Sequence, residues 1–259
     1  MAMIVWENLS KWFFKGRKKI QVLDSLSLGV SQGEFLAVVG PSGCGKSTLL
    51  NITAGLLRPS AGEIYYRETP LQGVNTRVGY ITQKDNLFPW RSVEDNIGIA
   101  LEIRGLGRAQ RLDRVAELVQ LVGLSGFEKH YPSELSGGMR KRVTLARTLI
   151  YDPETLLMDE PFGALDAQLK LILQDELLRL WEATQKTIVF VTHDLAEAVS
   201  LANRVVVISA RPGRVKMIEK VELPHPRNVF QIRFSPNFGV HFERLWECLR
   251  EDLRKGEEI

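Results

Sequence analysis

The sequence has no apolar run long enough to cross a bilayer. Its longest, such as Phe35–Val39 and Thr187–Val191, are strand-sized, whereas a membrane helix needs about 20 apolar residues. Cysteine is scarce: Cys44 and Cys248 are the only two in 259 residues, too few for a disulfide framework. Neither sign of charge dominates, with 34 Lys and Arg against 31 Asp and Glu, and this balance gives no argument for a nucleic-acid partner. Met1–Ser10 lacks the basic-then-apolar order of a secretory signal, so the expected location is the cytoplasm. No repeat, low-complexity tract or Pro/Gly/Ser linker divides the chain; one compact unit spanning 1–259 is expected.

What is present is a succession of strand-like and helix-like patterns. From Ile4 to about Tyr66 the runs are short and β-rich, and Phe35–Val39 is the clearest buried strand, followed by a glycine-rich turn and a helix from Lys46. From about 92 to 150 the pattern is helical, with Leu112, Val115, Leu118, Val119 and Val122 on one face. Strand-like runs return at 155–158, 187–191 and 204–209, separated by helical patterns over 167–183 and 194–201. Strands alternating with helices predict an α/β fold with a largely parallel sheet covered on both faces. Phe238, Phe242, Leu245, Leu249 and Leu253 then recur at helical spacing over about 238–254, which predicts an amphipathic helix docked on the core.

The strongest local signal is Gly40, Pro41, Ser42, Gly43, Cys44, Gly45, Lys46, Ser47, Thr48, between the strand and the helix. Glycines let such a loop turn its backbone N–H groups toward phosphate oxygens, and the following helix offers its positive end to the same anion. Lys46 is expected on the β and γ phosphates and Ser47 on magnesium. A phosphate loop alone fits a kinase, a GTPase or a motor, so the remaining motifs decide. Thr155–Glu160 is an apolar strand ending in two carboxylates; Asp159 suits a magnesium shell and Glu160 the polarisation of an attacking water. Leu135–Met139 opens a helix, Asp166 closes Gly163-Ala-Leu-Asp, and His193 follows the strand 187–191.

In order and spacing, from about Ile4 to Val215, these residues resemble the nucleotide-binding subunits of ABC transporters. The resemblance implies a P-loop NTPase core with an N-terminal antiparallel β subdomain and an inserted helical subdomain at about 92–150. It implies an ATPase using ATP and Mg2+, with Phe13 stacked on adenine, Trp12 and Phe14 being the alternatives. Gln83 would touch magnesium and sense the transmembrane partner, and His193 would contact the γ-phosphate. Ser136, Gly137 and Gly138 resemble the signature that acts on the nucleotide of a second subunit, which implies a head-to-tail dimer, homomeric or paired, linked across its sites by Asp166. Met139 departs from the family's glutamine at the end of that signature, and a thioether cannot reproduce the amide's donors.

Leu87, Phe88 and Trp90, after Gln83, fit the family's groove for a helix of the permease, so the chain is expected at the cytoplasmic face of the membrane, with an external substrate receptor as an indirect partner. Leu-Phe-Pro-Trp90, Leu-Ser-Gly-Gly-Met-Arg140 and Ser209-Ala-Arg-Pro-Gly213 are similar to the nitrate, sulfonate and taurine importer subgroup. About thirty residues follow Pro226, too few for the regulatory domain of some sugar-importer ATPases. The alternative, a soluble ABC-type ATPase without a membrane partner, is disfavoured by a single cassette with no sustained heptads. His130, His225 and His241 stand outside any motif and are expected to be solvated or structural.

Overall fold

The computed structural model describes residues 1–163 and 165–256, with side chains to position 250. Strands β1 (Ala2–Lys15) and β2 (Lys18–Ser31) form a long antiparallel hairpin, and β4 (Ala61–Tyr66) and β5 (Thr69–Pro70) extend it into a sheet of order β2-β1-β4-β5. Gly16, at φ 61°, supplies the left-handed residue that the hairpin turn needs. Trp6 is fully buried and donates its indole N–H to Thr53 Oγ1 at 3.0 Å, fastening this sheet to helix α1 (Lys46–Thr53).

The second sheet has the order β10-β9-β3-β8-β7-β6. Strands β3 (Phe35–Val39), β6 (Val78–Ile81), β7 (Thr155–Asp159), β8 (Thr187–Val191) and β9 (Arg204–Ile208) run parallel, and β10 (Val215–Lys220) pairs antiparallel with β9. Period-two alternation divides the strands between two cores. Phe35, Ala37 and Val39 face one core with helices α5 (Ala167–Thr184), α6 (Leu195–Leu201) and α8 (Pro236–Gly256), while Leu36 and Val38 face the core shared with α1 and the first sheet. All five β3 residues are fully buried, and at about 1.5–3 kcal/mol for each large side chain that burial fixes the strand from which the glycine-rich loop departs.

Helices α2 (Val93–Ile103), α3 (Arg108–Leu121) and α4 (Gly137–Leu149) form the expected helical block around Val93, Ile97, Val115, Val119, Val122 and Val143. Ser92 caps α2 by accepting from Asp95 N–H at 3.2 Å, and Glu94 and Asp95 place negative charge at its positive end. Leu112 does not join that face as the periodicity predicts; it is 37% exposed, because α3 buries only a narrow stripe against α2 and α4. The short helix α7 (Val229–Ile232) leads into α8, which docks through Phe238, Leu245 and Leu249 with Phe242 partly buried; Leu253 lies outside the described side chains. His241 is buried on Glu219 at 2.6 Å and His225 meets Glu182 at 2.8 Å, so both serve structure. Among the described residues no helix is long and apolar enough to cross a membrane.

Candidate active site

The loop from Gly40 to Gly45 owes its shape to positions where a side chain cannot fit. Gly45 has φ 110°, and a Cβ there would lie 2.7 Å from Leu23 Cδ2; a Cβ on Gly40 would lie 2.6 Å from the Ile208 carbonyl. Gly45 is also the N-cap of α1 and brings no side-chain acceptor, which leaves the first-turn N–H groups for an anion. Lys46 is buried, its ammonium folded onto the carbonyls of Gly40 (2.7 Å) and Pro41 (3.0 Å). Cys44 is buried under the loop; burial pushes its thiol pKa up, and the Lys46 ammonium partly opposes that shift.

A cavity of about 490 Å3 opens over the loop, lined by Ser42, Gly43, Gly45, Lys46, Ser47 and Thr48, by Gln83 and Glu160, and by Phe13, Ile20, Val22 and Arg211. Phe13 pairs in register with Ile20 across the β1–β2 hairpin, so the alternation of the strand turns Phe13 toward the cavity. Trp12 and Phe14 do not line it; Trp12 instead carries the Lys19 ammonium 4.0 Å from its ring centroid.

Beneath the loop the Ser47 hydroxyl donates to Asp159 Oδ1 at 3.1 Å. Asp159 is buried at the end of β7, and desolvation holds its carboxyl above the ordinary carboxylate range, with the Ser47 hydrogen bond opposing and the Glu160 charge reinforcing the shift. Among the described residues no cluster of three His, Cys, Asp or Glu side chains could hold a metal alone. The hydroxyl and carboxylate oxygens of Ser47 and Asp159 fit magnesium, which takes few protein ligands when phosphate oxygens and water complete its shell.

Glu160 stands in the left-handed region at φ 46°, a conformation costing a residue with a Cβ about 1 kcal/mol. Its N–H is tied to the Val191 carbonyl at 2.9 Å, and its Oε2 receives Gln83 Nε2 at 3.4 Å with His193 Nδ1 3.2 Å away. Three side chains from three separate loops thus meet at one carboxylate oxygen.

Ser136, Gly137 and Gly138 do not line this cavity. Ser136 caps α4, its Oγ accepting from Met139 N–H at 3.2 Å, and a Cβ on Gly138 would lie 2.3 Å from Leu169 Cδ2 in the first turn of α5. Asp166 caps that helix, accepting from Leu169 N–H at 2.9 Å. Met139 packs against the apolar cluster of the helical block, a place that suits a thioether as well as an amide stem.

Helix α4 also grips the segment after Gln83. Lys141 donates to the Gln83 carbonyl at 2.7 Å and pairs with Asp85 at 2.7 Å, and Arg147 donates to the carbonyls of Asp85 and Asn86, both at 2.8 Å. Beyond it Asn96, fully buried, accepts from Phe88 N–H (2.8 Å) and donates to the Phe88, Arg91 and Ser92 carbonyls. This leaves Trp90 71% exposed beside the Phe88 ring, centroids 5.6 Å apart, while Leu87 packs inward on the helical cluster.

A family model described as ABC transporter matches residues 23–163. The chain belongs to the ABC transporter ATP-binding family. Like its family it is an ATPase. An uncharacterized ABC transporter ATP-binding protein of Methanocaldococcus jannaschii is 48% identical over 250 residues, covering 96% of this ATPase and 92% of that protein. An aliphatic sulfonates import ATP-binding protein of Bacillus cereus is 46% identical over 222 residues, covering 86% and 87% of the two chains. Among solved structures, a dimeric post-hydrolysis ATP-binding cassette bound to ADP and Pi superposes with a TM-score of 0.77 at 31% identity, covering 86% of this ATPase and all of that chain.

Sequence reasoning about this ABC ATPase missed Ile20, Val22 and Arg211 as cavity walls. The alternation of Ile20 and Val22 after the Gly16 turn carried the signal for the first two. Arg211 belongs to Ser209-Ala-Arg-Pro-Gly213, whose proximity to the glycine-rich loop comes only from the tertiary fold.

Proposed function

We propose that two copies of this chain close head to tail on two Mg-ATP molecules and so drive a transmembrane permease that imports small anions such as nitrate, sulfonates or taurine. The observation that carries the reading is the separation within one chain of two half-sites. The phosphate loop, Asp159, Glu160, Gln83 and His193 gather at one cavity, while the capped N-terminus of α4 at Ser136 stands outside it. A helix N-terminus flanked by Gly137 and Gly138 suits close approach to a γ-phosphate, and a second copy is the polypeptide that supplies one. The dimeric solved cassette supports this arrangement.

In this reading the loop N–H groups and Lys46 hold the β and γ phosphates, and Phe13 stacks on the base. Ser47, Gln83 and Asp159 hold magnesium, which neutralises charge on the phosphates when bound. Glu160 accepts a proton from the attacking water, its strained backbone and its contacts with Gln83 and His193 fixing the carboxylate. His193 orients toward the γ-phosphate, and Asp166 at the head of α5 couples the two sites. Phe88 and Trp90, backed by the inward-packed Leu87, form the docking surface for the permease, with the ATPase at the cytoplasmic face of the membrane and the receptor that selects the cargo on the far side. The sulfonate-importing relative supports the cargo class. The whole chain, 1–259, acts as one nucleotide-binding unit.

The test is purified Glu160→Gln protein. With Mg-ATP it forms a dimer stable to gel filtration and turns over negligibly; a monomer with wild-type turnover would overturn both the closure scheme and the assignment of the base.

A further inference from the structure

The turn between β9 and β10 brings a cation onto the phosphate loop. The turn itself is closed by Ser209 N–H on the Arg214 carbonyl (2.9 Å) and Arg214 N–H on Ser209 Oγ (3.1 Å). It is pinned to β2 by Gly213 N–H on the Val22 carbonyl (2.8 Å), Asp24 N–H on the Gly213 carbonyl (3.0 Å) and Arg214 Nε on Asp24 (2.8 Å). Gly213 is pressed so closely on the loop that a Cβ there would lie 2.3 Å from the Cys44 carbonyl. None of these contacts uses the side chain of Arg211. That side chain is exposed, walls the cavity, and donates both Nε (3.1 Å) and Nη2 (2.9 Å) to the single carbonyl of Gly43.

A peptide unit is planar and trans, so its N–H points opposite to its carbonyl. Two guanidinium donors that hold the Gly43 carbonyl therefore fix the direction of the Cys44 N–H. At present that N–H turns inward to the Pro41 carbonyl at 3.3 Å, a long bond that a phosphate oxygen would readily replace. A cation on the carbonyl also polarises the peptide and makes its N–H a better donor to an anion.

We propose that Arg211 is a positioning residue for the phosphates of the nucleotide: from the docked 209–214 turn it clamps the Gly43–Cys44 peptide in the orientation that receives an anion and adds fixed positive charge to that wall. The proposal rests on the reading of this cavity as the Mg-ATP site. Arg211 acts at the phosphate end, not on the base, and it serves ground state and transition state alike.

Full-length Arg211→Gln and Arg211→Lys are compared with wild type for ATPase kinetics, for competitive inhibition by inorganic tripolyphosphate, which has no base or ribose, and for thermal midpoint. In Arg211→Gln the KM for Mg-ATP rises about 5- to 10-fold, just under the range for a charge-assisted bond because the group is exposed, while kcat changes by less than about twofold. Tripolyphosphate weakens by the same factor, the thermal midpoint is unmoved because the turn is closed without this side chain, and Arg211→Lys recovers part of the loss. An unchanged KM, or a raised KM with undiminished tripolyphosphate inhibition, overturns the proposal while leaving the nucleotide site intact. Wild-type protein that fails to bind Mg-ATP, or Lys46→Ala with undiminished affinity, overturns the reading of the cavity and this proposal with it.

Discussion

Replacing Lys141 with methionine keeps the buried stem of the side chain and removes only its ammonium. Two contacts go with it, the 2.7 Å pair with Asp85 and the 2.7 Å bond to the Gln83 carbonyl. At that separation the gross attraction is about 6 kcal/mol with an effective dielectric of about 20, and much of it is offset by the cost of having desolvated both charges. The Asp85 side chain stays 22% exposed and keeps Arg140 at 3.5 Å, so its orphaned charge is not fully stranded. The net loss is therefore set at about 2–3 kcal/mol, below the about 3–5 kcal/mol for breaking a fully buried pair. For a chain of this size, at about 2–4 °C for each kcal/mol, the thermal midpoint falls by about 4–12 °C. Calorimetry on Lys141→Met, Asp85→Asn and the double variant measures the coupling. The double variant regains at least half of the lost stability, because the unpaired carboxylate is gone. Additive losses, or a single-variant loss below about 0.5 kcal/mol, would refute the view that this pair anchors the Gln83 segment to α4.

Phe13→Ala raises the KM for ATP about tenfold, as loss of one aromatic stack predicts, whereas Trp12→Ala and Phe14→Ala leave it within about twofold, since neither ring lines the cavity; steady-state kinetics on the three variants decides. Burial raises the Tyr66 phenol to about 12, with its bond to Thr155 opposing. A group with a raised folded pKa stabilises the fold below its unfolded value near pH 10 and loses that contribution as pH climbs through the folded value. Wild-type stability thus falls by about 2–3 kcal/mol across that alkaline window, and Tyr66→Phe flattens the slope in denaturant titrations. Arg227, pushed down to about 10 by burial, donates to the carbonyls of Val199, Ser200, Ala202, Val221 and Leu223. Arg227→Met strips the carbonyl end of α6 of its donors and lowers stability by about 3 kcal/mol, read by calorimetry, with ATPase activity retained well below the midpoint.

The parallel sheet was legible because β3, β7, β8 and β9 are built on short apolar runs, with Thr155, Asp159, Thr187 and Arg204 only at strand ends, and a strand buried on both faces reads as near-continuously apolar. β10 was not, since Lys216, Glu219 and Lys220 interrupt it and only the tertiary contacts with His241 and Arg244 explain a buried Glu219. The length of β1 and β2 was hidden for a related reason: register shifts at Trp6/Leu9 and Leu9/Lys11 break the alternation that would have marked each as one strand. Lys46, Asp159 and Glu160 could be found because loop and strand ends carry them in fixed local patterns. Arg211 and Lys141 act on carbonyls far along the chain, at Gly43 and Gln83, and nothing in their own neighbourhoods records that. Met139 read as a departure from the signature, and only the structure places its side chain against the apolar cluster of the helical block.

In the proposed dimer, α4 lies between the second copy's nucleotide and the segment proposed to dock the permease. Its N-terminus carries Ser136, and Lys141, Thr144 and Arg147 along the next turns hold carbonyls at Gln83, Asp85 and Asn86. From Ser136 to Arg147 the helix rises about 16 Å, with no glycine or proline after Gly138 to bend it. In the proposed dimer, a pull on Ser136 by the second copy's γ-phosphate would be transmitted as a rigid displacement to the segment that ends in Phe88 and the exposed Trp90. The same segment begins at Gln83, which contacts Glu160, so in the proposed dimer one loop would be loaded from its own cavity at one end and from the second copy's nucleotide at the other. Lys141→Met weakens permease-stimulated turnover more than basal turnover, because it cuts the loop from α4 while changing no side chain that lines the cavity; equal loss of both in a reconstituted transporter would show that the strain travels by another route.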